Sequence, residues 1–139
     1  MDEINANGGI GGETPLRIDV RDTRSDTAET IKAAQELLDN GARFIVSPAD
    51  GDPTIAVGQL TVPAQIPTMT FAGTAPVLTQ VGEYVFGSYP GDNLQATATA
   101  QYARELGFET AYILKSPDSA YTMGGPEYFA EVFTNGGGT

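Results

Sequence analysis

The sequence predicts an α/β fold built on a mainly parallel sheet. Two patterns carry that expectation. Short strand-like runs alternate along the chain with segments of helical period. One of those runs, Phe44-Ile45-Val46, is wholly apolar, as suits a strand buried on both faces of a parallel sheet. Such alternation makes βαβ units, whose crossover helices cover both faces of the sheet. At 139 residues, the length is that of one ordinary domain, and a 40% hydrophobic content allows a real core.

Residues 2–7 read as the tail of a helix, and Leu16 to Arg21 as the first strand, with apolar and polar residues alternating. Ser25 or Asp26 can cap the helix that follows, with Glu29 three residues after Asp26 as in a capping box. Ile31, Ala34 and Leu38 line one face of it, and Gly41 stands where it stops. Pro53 to Gln65 reads as a second helix opened by a proline in its first turn and weakened by Gly58 and Pro63. Thr68 to Phe71 is strand-like, Pro76 to Gln80 holds one helical turn, and Tyr84 to Phe86 is another short strand. Leu94, Ala98, Tyr102 and Leu106 mark a helix from about Asp92 that Gly107 ends. Ala111 to Leu114 reads as a strand and Pro126 to Thr134 as the last helix.

Composition removes several function classes. Seven Lys+Arg stand against eighteen Asp+Glu, a net charge of −11 spread over both halves of the chain. Nucleic acid is therefore an improbable partner, because phosphate neutralisation needs clustered cations. With no cysteine and no histidine, disulfides, thiolate zinc sites and Ser-His or Cys-His nucleophile pairs are excluded. No apolar stretch is long enough to cross a membrane as a helix. No cofactor and no metal site are expected.

The glycine run Gly8 to Gly12 precedes a strand rather than following one, so it reads as a turn and not as a phosphate loop. Asp50-Gly51-Asp52 has only the opening of a calcium loop, and its plain reading is a strand-to-helix turn capped by Asp. It nevertheless lies past the C-terminal end of a strand, where open α/β sheets bind ligands. Ala72-Gly73-Thr74 holds the same kind of position one strand later, and Ser119-Ala120-Tyr121 follows the strand after the next helix. Three small or polar loops on one side of successive strands make a ligand cleft of hydrogen-bonding type, without evident catalytic machinery.

Four stretches carry a family resemblance: residues 2–10 (DEINANGGI), Ala33 to Leu38 (AAQELL), Thr70 to Thr79 (TFAGTAPVLT) and Ser119-Ala120-Tyr121. In that order they resemble the type I periplasmic solute-binding proteins of ABC importers, in the branched-chain amino-acid and amide group that includes Leu/Ile/Val-binding proteins. The resemblance implies two α/β lobes with a solute held between them. It implies that residues 1–90 are a partial N-terminal lobe and residues 91–139 a hinge crossing and the start of a second lobe. The chain then lacks the family's first, central strand, which leaves a gap beside Leu16 to Arg21, and most of the second lobe. Both ends read as cuts from a longer chain.

The resemblance further implies a binder and not an enzyme, working in the periplasm or as a lipid-anchored extracellular protein. Its partners would be an amino acid or a related amide or urea-like solute, and an importer permease. A sensor or receptor of the same fold is the alternative, and an α/β enzyme is disfavoured. Ala72 and Thr74, with Gly73 between them, match the loop that takes the solute's ammonium and carboxylate, and Tyr121 matches the tyrosine that closes over it. Asp50-Gly51 matches a position usually filled by hydroxyl residues. There Asp50 places negative charge beside an expected anion, while Gly51 can still offer its N–H.

Overall fold

The computed structural model describes residues 1–139, the side chain of Ala120 excepted. Its elements are α1 (Asp2–Ala6), α2 (Thr27–Asp39), β1 (Ile45–Ser47), α3 (Gly51–Thr61), β2 (Thr68–Thr70), a 3₁₀ turn (Pro76–Gln80), β3 (Val85–Gly87), α4 (Asp92–Glu105) and α5 (Ala120–Asn135). The three strands form one parallel sheet in the order β1-β2-β3, with Ile45 beside Thr68 and Thr68 beside Val85. The expected α/β class is the observed one.

Local chemistry sets the helix ends. Asp26 caps α2, its carboxylate accepting the Glu29 N–H at 2.8 Å. Glu29 does not complete the capping box; its carboxylate pairs with Lys32 at 2.6 Å on the exposed face. That hydrogen bond and the charge behind it raise the Lys32 pKa above its ordinary value. At the other end Gly41 (φ +82°) donates to Leu38 O, and Ala42 donates to Leu37 O. This is a Schellman exit, whose left-handed residue favours glycine. Gly107 (φ +83°) ends α4 with the same pair of bonds. Asp26→Ala is expected to lower stability by about 1 kcal/mol, with Asp26→Ser nearly neutral; the shift in the urea-unfolding midpoint checks this.

Alternation along the strands sorts their residues between two unlike faces. Ile45, Ser47, Thr68, Thr70 and Val85 are buried under the helical layer. Ile45 joins Ala34 of α2 and Val57 of α3 in a small apolar core. Val46, Met69 and Phe86, in register across the other face, are 62%, 37% and 46% exposed. Helices were expected on both faces; among the described elements α2 and α3 lie on one. Beneath α3 the sheet meets it largely through hydroxyls. Thr68 donates to Thr61 at 2.7 Å, and Ser47 and Thr54 pair at 2.9 Å. Each of these four side chains is buried with its polar atom satisfied.

Two expected strands are not strands. Leu16 to Arg21 makes no ladder, and Ile18 and Val20 are 58% and 79% exposed. Leu16 is instead tied to Asn5, whose side-chain amide exchanges two hydrogen bonds with the Leu16 backbone. Ala111 to Leu114 is likewise unpaired along its length, and Tyr112 and Leu114 are almost fully exposed. It meets a single residue: Thr139 donates to Glu109 O, and Ala111 donates to Thr139 O, both at 2.9 Å, in parallel fashion. Alternation specifies which side chains go in, but a strand exists only where a neighbour completes its hydrogen bonds. The last helix begins at Ala120, six residues before its expected start. Ser119 caps it, accepting the Thr122 N–H, and Pro126 lies inside it.

Candidate functional site

The C-terminal ends of β1, β2 and β3 open onto neighbouring loops, and one buried hydroxyl joins two of them. Thr70, the last residue of β2, is fully buried. Its Oγ1 donates to Pro48 O at 3.0 Å, in the loop after β1, and accepts the Gly73 N–H at 2.8 Å. Just past β3, Ser88 Oγ donates to Thr70 O at 2.8 Å and to Phe71 O at 3.1 Å. The Ala72-Gly73-Thr74 loop is thus held from both sides. At Gly73 a Cβ would lie 2.7 Å from Thr70 Oγ1 and 2.9 Å from a Leu78 methyl, which leaves no room for a larger residue.

The structure brings Asp50-Gly51 against this loop. A Cβ on Gly51 would stand 3.5 Å from that of Ala75. Asp50 occupies the N-cap of α3, but its exposed carboxylate accepts no capping hydrogen bond. Its carbonyl takes the Thr54 hydroxyl at 2.9 Å instead. The expected side-chain cap is therefore absent: the Asp50 carboxylate stands in solvent, away from the first-turn N–H groups. Gly73 and Thr74 border a cavity of about 120 Å³ with Pro76, Tyr89 and Gly91, whereas Ala72 is half-buried and does not line it.

Tyr121 lies elsewhere. It is 60% exposed in the first turn of α5 and borders a larger cavity of about 740 Å³ between α4, α5 and residues 112–116. One residue, which the sequence marked only as a helix start, connects the two regions. Asp92 donates its backbone N–H to Thr74 O at 2.9 Å, and its side chain borders the larger cavity. Its carboxylate is 3% exposed as a residue and neither oxygen has a hydrogen-bond partner. Acidic residues are common in the first turn of helices, so nothing in the sequence distinguished this one. No group of three or more metal-ligating side chains occurs among the described residues, and no helix there is long and apolar enough to cross a membrane.

A profile of the family described as periplasmic binding protein matches residues 1–139, the whole chain. The chain belongs to that family. This periplasmic binding protein is 28% identical over 138 residues to a Leu/Ile/Val-binding protein of Rhizobium johnstonii, covering 99% of this chain and 37% of the relative. Its structure is similar to an ABC transporter substrate-binding protein of Desulfitobacterium hafniense in complex with Leu (TM-score 0.86, 28% identity, 99% of this chain and 41% of that one). It is also similar to the branched-chain amino acid transporter substrate-binding protein LivJ of Streptococcus pneumoniae in complex with isoleucine (TM-score 0.83, 26% identity, 97% and 38%). The chain thus spans about two fifths of the length of these relatives. The fold is that of the type I periplasmic binding proteins, in part, as the sequence motifs implied.

Proposed function

We propose that this chain is the ligand-facing part of an extracytoplasmic binding protein that captures an amino acid or related small polar solute. Residues 1–90 belong to the N-terminal lobe, and residues 91–139 form the crossing and the beginning of the second. The solute lies between the lobes and is delivered to the permease of an ABC importer, with no bond made or broken. Hinge closure stabilised by the bound solute is the mechanism. One observation carries this reading: Thr70 ties the loops of Gly51 and Thr74 into one unit, and Asp92 links that unit to the cavity of Tyr121.

In that arrangement Thr74 offers a hydroxyl and Gly51 an N–H at the start of α3, both suited to a carboxylate. Tyr121 supplies a ring to cover the solute. The named relatives bind leucine and isoleucine, so aliphatic amino acids head the panel, with amides and urea-like solutes after them. Calorimetric titration of the intact protein is expected to give a saturable complex with a member of that panel. Thr74→Val should weaken it by about tenfold, the worth of one or two hydrogen bonds. Unchanged affinity in Thr74→Val would defeat the site assignment. Residues 1–139 alone are expected to bind none of the panel detectably, because the other lobe supplies much of the contact; a micromolar complex of the monomeric chain would refute that.

A further inference from the structure

We propose that Gln95 is the latch of the crossing into α4: it stiffens the chain beyond Tyr89 and so confines the bending between the lobes to Tyr89. The inference rests on the hinge closure proposed above. It adds where the chain bends and which side chain keeps it from bending elsewhere. Gln95 acts through the crossing and is a positioning residue.

Pro90 carries the argument. Its ring fixes φ, which leaves ψ as its one soft backbone torsion. That torsion sets the direction of the Pro90 carbonyl, and the side-chain amide of Gln95, in the first turn of α4, donates to this oxygen at 2.6 Å. With the bond made, Pro90 has no torsion left to turn. The residues after it are also held. Gly91 is the N-cap of α4, and its carbonyl accepts the Leu94 and Gln95 N–H groups at 3.0 and 3.1 Å. The Asp92 N–H goes to Thr74 O at 2.9 Å. Gln95 therefore grips two successive carbonyls, Pro90 O with its side chain and Gly91 O with its backbone.

On the other side Ser88 is anchored, its Oγ lying on Thr70 O and Phe71 O. Tyr89 stands between the two anchors. It is exposed, and among the described residues nothing hydrogen-bonds to its backbone. A following proline keeps Tyr89 in the extended region but leaves its φ adjustable. Hinges need only a few such residues to absorb the change in φ and ψ. Without the Gln95 amide, ψ of Pro90 joins the moving torsions. The solute-free protein then samples more lobe arrangements, and closing on a solute costs more entropy.

The test uses the intact protein without solute, carrying nitroxide labels at Ala28→Cys on α2 and Glu131→Cys on α5, both exposed positions. Electron–electron double resonance reads the distribution of distances between them. Gln95→Met keeps most of the length and removes the donor; Gln95→Lys restores a donor. Gln95→Met is expected to broaden the distribution, and Gln95→Lys to return it toward that of the wild type. Affinity for L-leucine, read by calorimetry, should fall about 2- to 10-fold in Gln95→Met, the worth of one neutral hydrogen bond. An unfolding midpoint close to that of the wild type certifies that each variant is folded. Gln95 also borders the cavity of about 740 Å³, so direct contact with the solute is the rival explanation. Weaker leucine binding with an unchanged solute-free distribution would establish that rival and overturn the proposal. A broadening that Gln95→Lys fails to reverse would overturn it too, since the donor would then be irrelevant. The hinge reading fails separately: a wild type whose label distance no member of the amino-acid and amide panel shortens loses closure, while the solute-free distributions still decide the latch.

Discussion

Phe133→Ala is expected to cost about 3–5 kcal/mol of stability, the range for truncating a buried phenylalanine, as a fall in the urea-unfolding midpoint at unchanged slope. Phe133 is 2% exposed, in the last turns of α5. Its ring stacks on Phe129 with centroids 5.3 Å apart and planes 16° from parallel. The Arg104 guanidinium of α4 lies 5.5 Å from the same ring. On the remaining side the chain after α5 folds over it so closely that a Cβ on Gly138 would fall 2.3 Å from a ring carbon. Removing the ring therefore loosens α4, α5 and the residues that bring Thr139 to Glu109 and Ala111. Phe133→Leu, which keeps most of the volume, should lose distinctly less. An unchanged midpoint in Phe133→Ala would mean that α4 and α5 do not unfold with the rest.

Thr70→Val is expected to cost about 1–3 kcal/mol and to weaken solute binding by about tenfold. The substitution preserves shape, so no cavity opens; its effect comes from the two hydrogen bonds it removes. The buried Gly73 N–H loses its acceptor, an unsatisfied group that costs about 1–3 kcal/mol, and Pro48 O loses one of its two donors, keeping the Thr54 hydroxyl at 3.2 Å. Those bonds hold the loops of Gly51 and Thr74 together, so the binding loss follows from their release. Thr68→Val provides the contrast. Thr68 is just as buried and donates to Thr61 under α3, away from both loops. It should lower the unfolding midpoint and leave affinity nearly unchanged. Thr70→Ser should recover most of both quantities. Equal effects of Thr70→Val and Thr68→Val on affinity would show that Thr70 contributes only general stability.

Much of the fold was legible in the sequence wherever the responsible physics is local. The Asp26 cap, the Schellman exits at Gly41 and Gly107, and the helix over Asp92–Glu105 depend on residues within one turn of one another. The position of the Asp50-Gly51 and Ala72-Gly73-Thr74 loops at strand ends was also readable, because parallel topology puts such loops on one side. Pro126 misplaces the last helix: a proline reads as an opening residue, while the Ser119 hydroxyl supplies the actual cap seven residues earlier.

The remainder depended on neighbours. Leu16 to Arg21 and Ala111 to Leu114 have sound alternation and still form no strands, since no ladder runs beside them. The threonines of β2 read as ordinary strand formers; only the packing of α3 over Thr68 and of the loops at Pro48 and Gly73 around Thr70 turned them into buried, bonded hydroxyls. Asp92 read as a routine first-turn acid until burial removed water from both its oxygens. By itself the sequence determined the start of α2, the glycine exits of α2 and α4, the α/β class and, through its motifs, the family. Tertiary structure alone decided which alternating segments became strands, which hydroxyl clamps the loops and which carboxylate lacks a partner. Capping and periodicity are complete within a few residues, whereas strand pairing and desolvation belong to groups that sequence places far apart.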